Sequence, residues 1–340
     1  MNLPVALTCG DPNGIGIDIS FEAKKELKNK IPFFLIADIN HLKNRNHSQS
    51  FERIQHPKEC FNISKDSLPV LHHEFPEIPT LNGSQPGNAL ATTKVIERAV
   101  NLFQNHEIHA ICTNPINKVV LKKGCGFKYP GHTEYLAHLA GHNNSVMMLL
   151  CEELRVVPTT IHIALKDVSK LLTKELLINT INTTRDALIN HFGIKKPRIA
   201  IAGLNPHAGE NGTFGQEEIK IINPIIEKLC TQGFDIIGPL SADTMFHKDA
   251  RNNYDVAICM YHDQALIPIK TIDFYGGVNV TLGLPFIRTS PDHGTAFEIA
   301  GKDLANPDSF REALYLAIDV YNKRNEYQEL TKNPLKTKRN

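Results

Sequence analysis

Net charge is the first thing the chain lacks: 37 basic side chains face 36 acidic ones, leaving +1 at neutral pH. Such a balance offers no electrostatic footprint for DNA, RNA or an anionic membrane, so neither nucleic acid nor membrane is expected as a partner. The one basic run, residues 332–339, reads as a solvated tail. No apolar stretch is long enough to span a bilayer, and residues 1–8 carry neither a basic start nor a long apolar core for export, so the cytoplasm is the expected compartment. Cysteine is sparse and odd in number, seven with no C-x-x-C pair, which argues against a disulfide framework and a structural zinc knuckle. Cys9, Cys112, Cys151 and Cys259 sit in apolar runs and read as reduced core thiols. A dinucleotide-binding glycine fingerprint is missing too. Gly10, Gly14 and Gly16 are not in G-x-G-x-x-G order, and Pro12 interrupts them.

What is present is a long alternation of apolar runs with helical periodicity. At 340 residues and 41% hydrophobic, the chain supports a large core and more readily two lobes than one. Strand-like runs such as Val5-Ala6-Leu7-Thr8-Cys9 and Ile108-His109-Ala110-Ile111-Cys112 are separated by helical stretches near 87–105 and 169–191. That order predicts an α/β protein with a mostly parallel sheet covered by helices. Residues 40–84 are polar and weakly patterned, and suggest no chemistry.

Three apolar runs end at or just before a histidine: Thr159-Thr160-Ile161-His162, the run from Ile199 that closes in Asn205-Pro206-His207, and Ile258-Cys259-Met260-Tyr261-His262-Asp263. A strand that carries reactive groups just past its last apolar residue delivers them to the carboxyl edge of a sheet, where open α/β folds bind ligands. Three imidazoles brought together there could hold one catalytic divalent cation and leave a position open. The plainer alternative is that they are surface or satisfied core groups, as most of the 16 histidines must be. His132 precedes the apolar helical pattern at Tyr135 and Leu136 and is placed to meet an anion, while Thr133 could simply cap that helix. Asp243 reads either as a cap or as a group supporting a ligand.

Four blocks carry a specific resemblance: Phe127-Lys128-Tyr129-Pro130-Gly131-His132-Thr133-Glu134, Leu204-Asn205-Pro206-His207-Ala208-Gly209-Glu210, Tyr261-His262-Asp263-Gln264, and the segment 277–290 ending in Phe286-Ile287-Arg288-Thr289-Ser290. Together they resemble the 4-hydroxythreonine-4-phosphate dehydrogenase family, from the first strand to the final helix. The resemblance implies a two-lobed α/β/α fold like that of isocitrate and isopropylmalate dehydrogenases. It implies NAD- or NADP-dependent oxidation of 4-phosphohydroxy-L-threonine, and decarboxylation of the keto acid to 3-amino-2-oxopropyl phosphate, in pyridoxal 5′-phosphate biosynthesis. A divalent metal (zinc, magnesium or cobalt) would be held by His162, His207 and His262, drawn from both subunits of a homodimer. His132, Thr133, Lys270, Asn279 and Arg288 would bind the small phosphorylated amino-acid substrate, with Asp243 and Asp263 in support.

A second likeness covers residues 292–307, which resemble the adenosine-binding loop of the decarboxylating dehydrogenases and accordingly place the cofactor on His293, Gly294 and Asn306. Phe297 and Glu298 stand where those relatives often have Pro-Asp. The expected lobes are 1–130 with 278–340, holding the cofactor loop, and 131–277, holding the metal ligands and the dimer contact. Alternative readings are a 4-phospho-D-threonate or 4-phospho-D-erythronate dehydrogenase of the same fold, or a three-histidine metal hydrolase using metal-activated water.

Overall fold

A computed structural model describes residues 3–45, 50–81, 83–142 and 144–332; the basic run 332–339 lies outside them beyond its first residue. The described strands are β1 (Val5–Thr8), β2 (Phe33–Ala37), β3 (Ser50–Ile54), β4 (Ser67–His72), β5 (Ala110–Thr113), β6 (Val146–Leu150), β7 (Arg155–Thr160), β8 (Arg198–Ala202), β9 (Asp235–Leu240), β10 (Val256–Tyr261), β11 (Val278–Leu282) and β12 (Ile287–Pro291). The chain divides into two compact units, residues 1–143 with 284–321 and residues 144–283 with 322–340. Residues 131–142 therefore pack with the first unit.

In the first unit the strand order is β3-β4-β2-β1-β5-β12, parallel throughout. β1 and β2 are buried at every position, as strands covered on both faces must be, and this explains their unbroken apolar composition. The helix Ala89–Gln104 buries Val95, Ile96, Ala99 and Val100, a stripe at helical spacing. β3 and β4 arise from the weakly patterned segment 40–84. β4 reads Ser-Leu-Pro-Val-Leu-His, and Pro69 interrupts what is otherwise a buried strand.

In the second unit the order is β11-β6-β7-β10-β8-β9. The β11–β6 and β6–β7 pairs are antiparallel, and β7–β10, β10–β8 and β8–β9 are parallel. Its core gathers Leu149, Val156, Ala200, Ala257, Cys259 and Ile269. The chain past Glu217 makes one π-helical turn, Glu218–Ile222, before the helix Asn223–Thr231 restarts with proline in its first turn. All seven cysteines are free thiols; Cys230 is exposed and Cys259, inside β10, is buried. Burial pushes the Cys9 and Cys112 thiols up to about 12, and that of Cys259 higher still. Among the described residues no helix is long and apolar enough to cross a membrane.

Candidate active site

β7, β10 and β8 are neighbours running the same way, so their carboxyl ends share one edge. His162 lies two residues past β7, His262 directly follows β10, and His207 lies in a short turn beyond β8. The pattern of apolar run followed by histidine thus places all three at the end of a strand in one parallel trio.

The His162 and His262 rings stand 5.9 Å apart, centroid to centroid. Both line a cavity of about 300 Å³ with Thr160, Ile163, Leu165, Val168, Tyr261 and Asp263. His262 is oriented by Asp263, whose Oδ1 lies 2.7 Å from its Nδ1. With Nδ1 so engaged, Nε2 carries whatever donor or acceptor role His262 plays elsewhere. Thr160 donates from Oγ1 to the Met260 carbonyl at 2.8 Å, binding the ends of the two strands that carry these histidines. A ring spacing of 5.9 Å is one that a single ion with bonds of about 2.0–2.1 Å to each imidazole could bridge. The donor set therefore fits a borderline divalent cation. Among the described residues of one chain, however, no three His, Cys, Asp or Glu side chains are grouped to hold an ion.

His207 is presented differently. From His207 to Asn211 every residue has positive φ, at 54°, 52°, 80°, 38° and 54°. This is a single left-handed helical turn, and four of its five residues carry a Cβ. At about 1–2 kcal/mol for each such residue, the turn must be held by its surroundings. Asp243 accepts a 2.6 Å hydrogen bond from Ser241 Oγ. That bond, aided by the nearby His207 imidazole, holds its carboxyl below the usual range.

The proposed substrate groups fall into separate places. Lys270 is in the last turn of the helix His262–Ile272, with its ammonium 5.4 Å from the Phe274 ring centroid. Eight residues of helix carry it about 12 Å from His262. Asn279 pairs with Leu149, which pairs with Val156, so Asn279 lies about 13 Å down the sheet from the level of Thr160. Its Oδ1 is buried without a hydrogen-bond partner among the described residues.

Arg288, His132 and Thr133 belong to the first unit. Arg288 is 3% exposed on β12 and donates through Nε and Nη2 to Thr113 Oγ1, at 3.2 and 2.7 Å. Burial lowers its pKa to about 10, still far above neutrality. His132 opens the helix His132–Leu139, whose N-cap is Gly131; Thr133 is the second helical residue, so it does not take the capping role that its type allows. Burial, then the charges of Arg288 and Lys118, push the His132 imidazole well below its usual range, leaving it neutral. Its Nε2 is buried with no partner among the described residues. Lys118, which the sequence did not single out as a site residue, is a second cation acting on this histidine. The signal for it was its position after β5, at the start of a helix capped by Asn117.

The cofactor candidates lie in the segment between β12 and the helix Asp308–Lys332. A backbone and a side-chain hydrogen bond fix this segment: Ile15 N–H to the Thr295 carbonyl at 3.0 Å, and Gly301 N–H to Asp18 Oδ2 at 2.9 Å. His293 Nδ1 is 3.0 Å from the Gly294 carbonyl, and Asn306 Oδ1 accepts from the Asp308 N–H at 2.7 Å at the helix start. A Cβ placed on Gly294 would meet nothing within 4 Å, so the backbone there is open to close approach by a ligand.

A family model described as pyridoxal phosphate biosynthetic protein PdxA matches residues 29–317. A curated 4-hydroxythreonine-4-phosphate dehydrogenase from Roseobacter denitrificans is 53% identical over 318 residues, 93% of this chain and 97% of its own length. The 1.25 Å crystal structure of the Klebsiella pneumoniae 4-hydroxythreonine-4-phosphate dehydrogenase superposes with a TM-score of 0.84 at 36% identity, covering 94% of this chain and 100% of that one. A β-decarboxylating dehydrogenase from Thermococcus kodakarensis shares the fold alone, with a TM-score of 0.51 at 14% identity over 97% of this chain and 89% of the other.

Proposed function

Since this chain belongs to the pyridoxal phosphate biosynthetic protein PdxA family, we propose that it oxidises 4-phosphohydroxy-L-threonine at its 3-hydroxyl, using NAD or NADP and a divalent metal. It is an oxidoreductase of pyridoxal phosphate biosynthesis. The product, 2-amino-3-oxo-4-phosphooxybutanoate, is a β-keto acid that loses CO₂ to give 3-amino-2-oxopropyl phosphate. The observation that carries this reading is the placement of His162, His207 and His262 at the carboxyl ends of three adjacent parallel strands.

His162, His207 and His262 would hold the ion, which when bound supplies Lewis acidity to the substrate hydroxyl and to the ketone that replaces it. Asp263 keeps His262 in one orientation toward that site. Arg288, cationic at neutral pH, would take a phosphate or carboxylate, and the neutral His132 beside it would donate or accept a single hydrogen bond without adding charge. Lys270 adds a second positive group, while Thr133 and Asn279 would fix orientation as neutral partners. The nicotinamide cofactor, which accepts the hydride, would place its adenosine end on His293, Gly294 and Asn306, where the backbone is open.

A homodimer with a site completed across subunits belongs to the same proposal. Two of the three histidines approach each other in one chain while no trio does, and Asn279 sits far down the sheet from them. Leu165, which lines the histidine cavity, is 70% exposed, and Ile267, Phe274 and Tyr275 are each at least 60% exposed in the same unit. Uncovered apolar groups, Leu165 among them beside the histidines, suit a second copy of the chain. We assign the cofactor loop to the first compact unit and the metal ligands and dimer contact to the second. The cytoplasm is the proposed location.

The test is NADH or NADPH formation by the purified protein with 4-phosphohydroxy-L-threonine and a divalent metal, repeated after chelation. Activity that disappears on chelation and returns with metal is expected. Turnover of 4-phospho-D-threonate in its place, or turnover indifferent to chelator, would overturn the assignment.

A further inference from the structure

We propose that Glu218 is the positioning residue for His207, acting through the backbone of Leu204 and Asn205. The proposal rests on the reading of His207 as a metal ligand and deepens it.

Glu218 is 2% exposed and lies in the π-helical turn Glu218–Ile222. Its Oε1 accepts the N–H groups of both Leu204 and Asn205, each at 2.8 Å, and its Oε2 accepts the Asn205 side-chain amide at 2.9 Å. Glu217 takes the same amide at 2.8 Å. These bonds fix the two residues that lead into the left-handed turn. The carboxylate also bears on the far side of His207, because a Cβ on Gly209 would stand 2.6 Å from Glu218 Oε2. Residues before and after His207 are thus set by one side chain. Gln264, in the first turn of the helix His262–Ile272, clamps the same segment to β10, taking the Met260 N–H on Oε1 and donating Nε2 to the Gly203 carbonyl, both at 2.7 Å. Gly203 in turn has room for no side chain, since a Cβ there would lie 2.7 Å from Ala208 Cα.

The residue type follows from the task. Three donors converge on one group, and a carboxylate has acceptor capacity on both oxygens where an amide has it on one. A buried carboxylate is tolerated only when hydrogen-bonded in this way. A π-turn inside a helix shifts the register of its side chains and recurs at functional sites. Glu218 therefore stands to His207 as Asp263 stands to His262, with one difference: Asp263 holds an imidazole nitrogen, whereas Glu218 holds the backbone from which the imidazole hangs.

The experiment titrates metal-free full-length protein with Co²⁺ alone, following the visible spectrum and the dissociation constant, for wild type, Glu218→Gln and His207→Ala. In Glu218→Gln one accepting oxygen is replaced by an amide nitrogen facing other donors. We expect Co²⁺ affinity to fall about ten- to a hundredfold with an altered spectrum. NADH affinity, read by fluorescence, should stay near wild type. Wild-type Co²⁺ affinity in Glu218→Gln, with affinity lost in His207→Ala, would overturn the positioning role and leave the metal reading intact. Wild-type affinity in His207→Ala would overturn both. Equal losses of Co²⁺ and NADH binding in Glu218→Gln would make Glu218 a general structural residue and overturn the proposal. If that variant does not fold, Gly209→Ala, which displaces the same carboxylate, must weaken Co²⁺ binding; unchanged affinity there overturns it.

Discussion

Asp11 is 4% exposed, and its Oδ1 accepts the Asn13 N–H at 3.0 Å. Burial outweighs that bond and the charge of Arg45, raising its pKa from 3.8 to about 6. The folded state therefore binds this proton more tightly than the unfolded chain. Below about pH 4 both states are protonated and the group costs nothing. Between about pH 4 and 6 the unfolded chain ionises first, stability falls, and above that window the full cost of about 3 kcal/mol is present. Asp11→Asn keeps the accepting oxygen without the charge, so it should be more stable than wild type at pH 8 by up to about 3 kcal/mol, with the gap closing toward pH 4. Denaturant unfolding of both proteins across that range checks this, and a gap independent of pH would sink it. Arg45, which donates to Asp18 Oδ1 at 2.6 Å and to the carbonyls of Pro12 and Gly14, was not legible in the sequence. It comes from a polar stretch whose long-range partners no spacing reveals.

At the scale of elements, legibility followed how each strand is buried. β1 and β2 announce themselves as unbroken apolar runs because both faces are covered. β8 and β10 do so nearly as well, β7 shows only its Val156-Val157 pair, and the histidines beyond them were readable as edge groups. β4 was not, since its Leu68, Val70 and Leu71 are broken by Pro69 and set in a polar stretch, yet the strand lies between β2 and β3. The turn that carries His207 was legible only as a loop. Asn211, Gly209 and Gly212 tolerate positive φ, but His207, Ala208 and Glu210 give no such sign, and the carboxylate that anchors the turn comes from Glu218 in the helical segment that follows. If β4 is a central strand, Leu68→Ala should be costly. Leu68 is fully buried, and its truncation should lower stability by about 2–5 kcal/mol, measured as a fall in the urea midpoint of the first unfolding transition. A loss below about 1 kcal/mol would mean that the strand is peripheral.

At the scale of the whole molecule, the proposed dimer makes a prediction that a self-contained site does not. If His162 and His262 of one chain work with His207 of the partner subunit, His207→Ala and His262→Ala homodimers should both be inactive. A hybrid of the two, isolated through different tags after co-expression, would contain one intact site and one doubly altered site. It should recover about half the wild-type activity per dimer. An inactive hybrid would place all three ligands in a single chain.

The distribution of thiols gives the molecule a built-in clock. Cys230 is the exposed thiol, whereas Cys259 is sealed inside β10, three residues before His262, with its proton held by burial. A thiol reagent added to the native protein marks Cys230 at once. It can reach Cys259 only when β10 opens, so the lag between the two modifications times how long the strand bearing His262 stays shut.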